Sequence, residues 1–297
     1  GYGAIGKSHV KSFLISKRKY TLDIIDNRSN FLLEQQDIPK KKNIKINFKN
    51  KYPINKNYDL LIIATSAEER LKVFKKIVNK NSIKYLILEK FLFNKEGHYK
   101  EFEKIIKKKN IKKIRVNSWG YQIYLEIKNY VKLDRNSLIT VNIKEGELLS
   151  NLLHFLDLFC CYSGLSFDLK TKIKKIIKSK RKPYNEIIGN IIAKNSNSKI
   201  NICTKRNIIF PKVYIKSRNK FFFLDFNEDG NCRLYKNKKI LNKFPFPFAW
   251  KTTEKNFFKY FIKNNDDSIA DNYTYIAHIS KKILETLKSI NKNILIT

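Results

Sequence analysis

The sequence predicts an α/β N-terminal domain on a doubly wound parallel sheet whose first strand is missing, joined to a C-terminal α+β domain with a large, mostly antiparallel sheet. Three observations predict it. The chain opens on Gly1-Tyr2-Gly3-Ala4-Ile5-Gly6, a GxGxxG turn with no strand ahead of it. Strand and helix patterns then alternate over residues 1–120. Between 168 and 244 the pattern changes to short strands.

Each element has its own signal. Ile5, Val10, Phe13 and Leu14 share one face and predict a helix over 4–16. A strand is expected at 20–26, and a weaker one at 44–48. Tyr58–Thr65 is an apolar run bounded by turn residues, the mark of a strand buried on both faces. Helix 67–79, strand 83–89, helix 98–109 and strand 113–117 complete the alternation. A helix near 121–131, a strand at 138–144 and an apolar helix over 149–163 open the second domain. Strands follow at 185–193, 199–204, 212–217, 220–225 and 231–236, and a last helix at 271–290. The domains are therefore read as 1–120 and 121–297, with the last helix free to pack back on the first. Because no strand precedes Gly1 and the chain has no methionine, the natural start is expected upstream. Strands 20–26 and 58–64 should then not pair directly.

Composition bounds the partners. A 42% hydrophobic fraction supports a packed core. The net charge of +36 points to nucleic acid or to compositional bias. Lysine dominates and is spread along the chain together with abundant Asn, Ile, Phe and Tyr, which favours bias and no nucleic-acid partner. No apolar run is long enough for a membrane span, so no membrane partner is expected. Cys160, Cys161, Cys203 and Cys232 form no C-x-x-C pair, and the histidines show no metal spacing. A reduced, cytoplasmic setting without metal is expected.

The glycine turn points to a Rossmann domain. Gly1 allows the tight turn, Gly3 a close approach to a pyrophosphate, and Gly6 close packing of the helix. The amides of Gly3, Ala4, Ile5 and Gly6 would face the phosphates at the helix start. Asp26 is placed to bind ribose hydroxyls, and Arg28 could take a 2′-phosphate, so the cofactor is NAD or NADP, with NAD slightly favoured. Thr65 ends a strand, where it could meet the cofactor or cap the next helix. Asn117 ends another and could contact cofactor or substrate. His9 reads as structural, its partner expected in nearby backbone or cofactor-domain loops.

Five segments now stand in order: Gly1-x-Gly3-x-x-Gly6-x-x-His9, Ala64-Thr65-Ser66, Glu89-Lys90, Val116-Asn117 and His154-x-x-Asp157-Leu158. This set resembles the glucose–fructose oxidoreductase/inositol dehydrogenase (Gfo/Idh/MocA) family. The resemblance implies an NAD(P)-dependent oxidoreductase acting on a sugar, nucleotide sugar or cyclitol. It places Glu89 near the nicotinamide ribose and Lys90 at the reacting oxygen. His154 would hand over the proton. Asn151 would bind substrate hydroxyls, Asp157 would face the substrate or orient the imidazole, and Trp119 and Tyr121 would flank the sugar. Lys90 and His154 are expected to converge on one pocket. Ser150-Asn151, Ser179-Lys180-Arg181, Glu186 and Gly189 resemble branches linked to surface-polysaccharide synthesis. A homo-oligomer through the C-terminal sheet is expected.

Two positions depart from the family pattern. Phe91 replaces a proline after the lysine, which should loosen that loop. Ser150 replaces an aspartate four residues before the histidine. These departures leave a second reading, a catalytically weak dinucleotide-binding sensor or scaffold. A basic nucleic-acid binder is the third.

Overall fold

The Gly1–Gly6 turn leads straight into helix α1 (Ala4–Leu14), which buries Gly6, His9, Phe13 and Leu14 on one side. The computed structural model describes residues 1–39, 41–180, 183–263, 272–291 and 294–296. Strand β1 (Tyr20–Ile25) pairs in parallel with β2 (Ile44–Lys49), Tyr20 opposite Ile44. Next come β3 (Asn57–Ile63), α2 (Arg70–Val78), β4 (Ser82–Leu88), α3 (Glu96–Lys109) and β5 (Lys113–Val116). The last three strands form a parallel sheet in the order β3-β4-β5. Ile83 and Tyr85–Leu88 of β4 are all buried, as a centre strand between helical layers requires. β1 and β3 belong to separate sheets, which meets the expectation that they do not pair. A groove of about 1290 Å³ is lined by the length of both strands. Tyr58 Oη donates to Asp23 Oδ2 across it at 2.5 Å.

From Ser118 a second unit begins. It holds α4 (Gly120–Ile127), β6 (Ser137–Lys144), α5 (Leu148–Ser163), β7 (Asp168–Lys178) and β8 (Asn185–Lys194). Strands β9 (Ser198–Lys205), β10 (Lys212–Ser217), β11 (Lys220–Phe226), β12 (Asn231–Lys236) and β13 (Lys239–Pro245) complete its sheet. The eight strands run in the order β13-β12-β11-β10-β6-β9-β8-β7. Every pair is antiparallel except β6 with β9. Burial alternates along β6 and β10, so one face is core and the other is not. Helix α5 lies on β6, β8 and β9 and buries Leu149, Leu152, Leu153, Leu156 and Phe159. A Cβ at Gly120 would sit 2.3 Å from the His154 carbonyl oxygen and 2.5 Å from the Leu158 nitrogen, so α4 meets α5 backbone to backbone there.

The sequence boundary needs one correction. The first unit is Gly1–Asn117 together with Phe248–Thr274, and the second is Ser118–Pro247 with Tyr275–Thr297. Helix α6 (Ala249–Asn256) therefore belongs to the first unit, where it packs on α1. Its sequence is polar, and a carboxylate rather than an apolar stripe anchors it. Glu254 Oε1 accepts from Ser16 Oγ, Arg18 and Tyr20 Oη, and its N–H donates to Ser12 Oγ. Apolar periodicity does not register such a helix. The final helix, α7 (Tyr273–Ile290), lies mainly in the second unit and buries Ile276, Ile279, Ile283 and Leu287. Residue 271, the expected start of that helix, lies outside the described residues. Strands β7 and β13, which had no individual assignment, are the two sheet edges. Their lysines mask the apolar pattern while guarding open edges.

Candidate functional site

In the first unit the glycine turn lies against the end of β3. A Cβ on Gly1 would touch Thr65 Cγ2 at 3.2 Å and the Ala64 carbonyl oxygen at 3.4 Å. A Cβ on Gly6 would fall 2.1 Å from the Gly1 carbonyl oxygen, which no side chain tolerates. Nothing lies within 4 Å of a Cβ on Gly3. Gly3 N-caps α1 without a side-chain hydrogen bond, and Ala4 and Ile5 are exposed in its first turn. Thr65 Oγ1 is buried with no hydrogen-bond partner among the described residues. Helix α2 begins at Arg70 behind Glu69, so Thr65 does not cap it. An uncapped helix start, an open glycine and an orphaned hydroxyl fit a dinucleotide's phosphates.

Asp26 braces this turn. Its Oδ2 accepts the Tyr2 N–H at 2.6 Å, and its Oδ1 accepts from the Arg28 backbone at 3.1 Å and from Arg28 Nε at 2.8 Å. Burial pushes the carboxyl up, but the Arg28 and Tyr2 hydrogen bonds outweigh it and hold Asp26 below the usual range. Arg28 also donates to Glu34 at 2.9 Å and to the Tyr2 carbonyl at 3.0 Å.

Glu89 follows β4 and is buried. Its Oε1 accepts from Asn117 Nδ2 at 2.6 Å and meets His9 Nε2 at 2.7 Å. Burial raises its carboxyl, yet the His9 hydrogen bond and charge, then Asn117 and Arg70, hold it below the ordinary value. His9 Nδ1 lies 2.8 Å from Thr253 Oγ1. Of the two expected sources of a partner for His9, nearby backbone or a cofactor-domain loop, it is the loop that supplies one, the Glu89 carboxylate. Lys90 is half-buried, and the Lys90–Phe91 peptide is cis. Phe91, Leu92 and Phe93 are buried. The buried Arg70 guanidinium donates to the Phe91 carbonyl, to the Leu92 carbonyl at 2.8 Å and to the Thr65 carbonyl at 2.5 Å. The looser loop expected from Phe91 is corrected: Arg70 pins it. In sequence Arg70 looks like one more solvated charge at a helix start, and no local signal sets it apart.

In the second unit, α5 carries His154 and Asp157 three residues apart on one face. Trp119 stacks on the His154 ring, with centroids 4.4 Å apart. It also packs against Phe155, Phe226 and Phe246. Asp157 is fully buried, and its Oδ2 accepts from Ser118 Oγ at 2.5 Å and from the Tyr121 N–H at 3.0 Å. That carboxylate caps the start of α4 and shares the Ser118 hydroxyl with His154. Tyr121 is half-buried and packs on Tyr124. Asn151 Nδ2 donates to the Glu147 carbonyl at 3.0 Å, as does Ser150 Oγ at 3.1 Å. Glu186 is buried and accepts the N–H groups of Leu149 and Ser150 at 2.7 and 3.0 Å, capping α5 from β8. Arg181 lies outside the described residues. No group of metal-binding side chains occurs among the described residues.

Known proteins can now be compared. No family model matches the chain, and no curated protein matches it. Solved structures do match along nearly the whole length. A dehydrogenase (MviM) from Clostridium difficile aligns at TM-score 0.59 and 13% identity, over 92% of this chain and 100% of that one. An NAD binding oxidoreductase from Klebsiella pneumoniae aligns at 0.66 and 9%, over 99% and 96%. This chain has the Gfo/Idh/MocA two-domain fold. The Gfo/Idh/MocA-type fold is shared as well by the super-repressor mutant of Gal80p from Saccharomyces cerevisiae, at 0.63 and 11% over 98% and 93%.

Proposed function

We propose that this protein is an NAD-dependent oxidoreductase acting on a secondary alcohol of a sugar, nucleotide sugar or cyclitol. One observation carries the reading: the glycine turn at an uncapped helix start packs on the end of β3, beside the orphaned Thr65 hydroxyl. Gly1, Gly3, Ala4, Ile5, Gly6 and Thr65 would hold the pyrophosphate side of the cofactor. Asp26 and Arg28 would lie toward the adenosine ribose. Arg28 already pairs with Asp26 and Glu34, so a 2′-phosphate would have to displace carboxylates, which favours NAD. Glu89 and Asn117 would lie toward the nicotinamide ribose.

Bound NAD supplies a hydride acceptor, and the protein supplies position and proton traffic. Lys90 stabilises the alkoxide that develops as the hydride leaves. His154 takes up the proton, and Asn151 and Tyr121 hold neighbouring hydroxyls. Trp119 and Asp157 serve by fixing His154. Surface-polysaccharide synthesis in the cytoplasm is the setting we favour.

NADH fluorescence titration, followed by turnover across nucleotide sugars and cyclitols, tests this. Binding with turnover abolished in Lys90→Ala is expected. Failure to bind either nicotinamide cofactor ends the proposal. Ser150, whose hydroxyl is spent on a backbone carbonyl, favours the sensor reading as runner-up, and binding without turnover would select it.

The sheet of the second unit suggests an oligomer. Tyr214, Phe223 and Tyr235 stack in a ladder with centroids 5.0 and 5.8 Å apart on the face away from the core. Phe221 is 59% exposed nearby. A second copy of this chain would cover the ladder.

A further inference from the structure

We propose that Ser118 is a positioning residue: it relays Asp157 to His154 and fixes the imidazole with its proton on Nδ1, leaving Nε2 as the acceptor. The tautomer follows from counting protons. Ser118, His154 and Asp157 are all buried, at 1%, 5% and 0% exposure. Ser118 Oγ lies 2.5 Å from Asp157 Oδ2 and 3.1 Å from His154 Nδ1. A hydroxyl has one proton to give. Asp157 Oδ2 accepts the Tyr121 N–H as well, at the amide-rich start of α4, so it acts as an acceptor toward both neighbours. The Ser118 proton therefore goes to Asp157, and the lone pairs of Oγ face Nδ1. Only a protonated Nδ1 makes that contact attractive.

One contact pulls the other way. The Trp119 N–H points at Nδ1 from 3.3 Å and would favour a bare nitrogen there. It is a longer bond from a neutral amide. The Ser118 contact is the shorter, at 3.1 Å, and Oγ is polarised by donating to a carboxylate, which strengthens the bond it accepts from Nδ1. The relay wins. Trp119 keeps its other task, holding the ring plane by stacking at 25°.

The consequence for chemistry rests on the reading of His154 as the proton-handling residue. An Nδ1-protonated imidazole presents Nε2 as a base, ready to take the proton of an alcohol being oxidised. The wrong tautomer would present a donor and block that direction.

Long-range proton–nitrogen correlation spectra of the ¹⁵N-labelled full chain, taken above the imidazole titration, read the tautomer directly. The chain has four histidines, and His154→Gln identifies the signals of residue 154. The unmodified protein should show Nδ1 protonated and Nε2 bare. Ser118→Ala should shift the ring toward the Nε2-protonated form, and Ser118→Thr should restore the original pattern. A protonated Nε2 in the unmodified protein overturns the proposal without any variant having to fold. An unchanged ring in a folded Ser118→Ala protein overturns it too. The NADH titration is read in parallel. Loss of NADH binding with the expected tautomer would sink only the oxidoreductase reading, and NADH turnover with the opposite tautomer only the role of Ser118.

Discussion

The buried carboxylates of Asp26, Glu89, Asp157 and Glu186 and the buried guanidinium of Arg70 organise the local geometry around the candidate residues. Arg70 is the most exposed to test. Arg70→Met strands the Thr65, Phe91 and Leu92 carbonyls, and the expected cost is roughly 3 kcal/mol or more in urea unfolding. A change within about 0.5 kcal/mol would show that the guanidinium does not hold the loop. Acid stability reports on Asp26 and Glu89, both held below their ordinary values in the fold. A depressed folded value means that the stabilisation is present above the unfolded value, near pH 4, and is lost as pH falls through the folded value. The melting temperature should therefore fall between about pH 5 and pH 2, and fall less steeply in Asp26→Asn. Equal slopes for the two proteins would remove Asp26 from this account. At this scale the sequence named Glu89, His154 and Asp26. It could not name Ser118 or Arg70, because their importance lies in partners 39 and 22 residues away.

Helix packing is decided where backbones touch. Gly120 opens α4 against α5 with no room for a methyl group. Gly120→Ala should destabilise the protein by about 1–3 kcal/mol and disturb the Trp119–His154 stack, read as a shift in tryptophan emission. A substitution within error of the parent would mean that α4 can slide freely on α5. Parallel strands buried on both faces, such as β4, were legible because their apolar runs leave no alternative. The apolar stripe of α5 was legible for the same reason. Edge strands β7 and β13 and the polar helix α6 were not, since lysines or a single buried carboxylate do the stabilising there.

Two properties belong to the whole molecule. Light scattering should give a mass near twice the 35.3 kDa of one chain, and Phe223→Lys, in the middle of the aromatic ladder, should return it to one. A monomer in the unmodified protein would leave the ladder without its proposed cover. The +36 charge should also draw nucleic acid at low salt, with binding lost at physiological ionic strength. A gel shift that persisted at physiological salt would favour the nucleic-acid reading instead.

The glycine turn, the buried strands, helix α5 and the candidacy of Lys90 and His154 were legible in the sequence alone, because periodicity and motif spacing are local properties of the chain. Which groups those residues lean on was settled only in three dimensions. His9 on Glu89, Arg70 on three carbonyls, and Ser118 between Asp157 and His154 are long-range pairings, and burial makes each polar group's choice of partner costly to change. The return of Phe248–Thr274 to the first unit has the same cause: Glu254 is satisfied by residues more than two hundred positions earlier, and Phe257 and Phe261 pack on Phe13 and Tyr85.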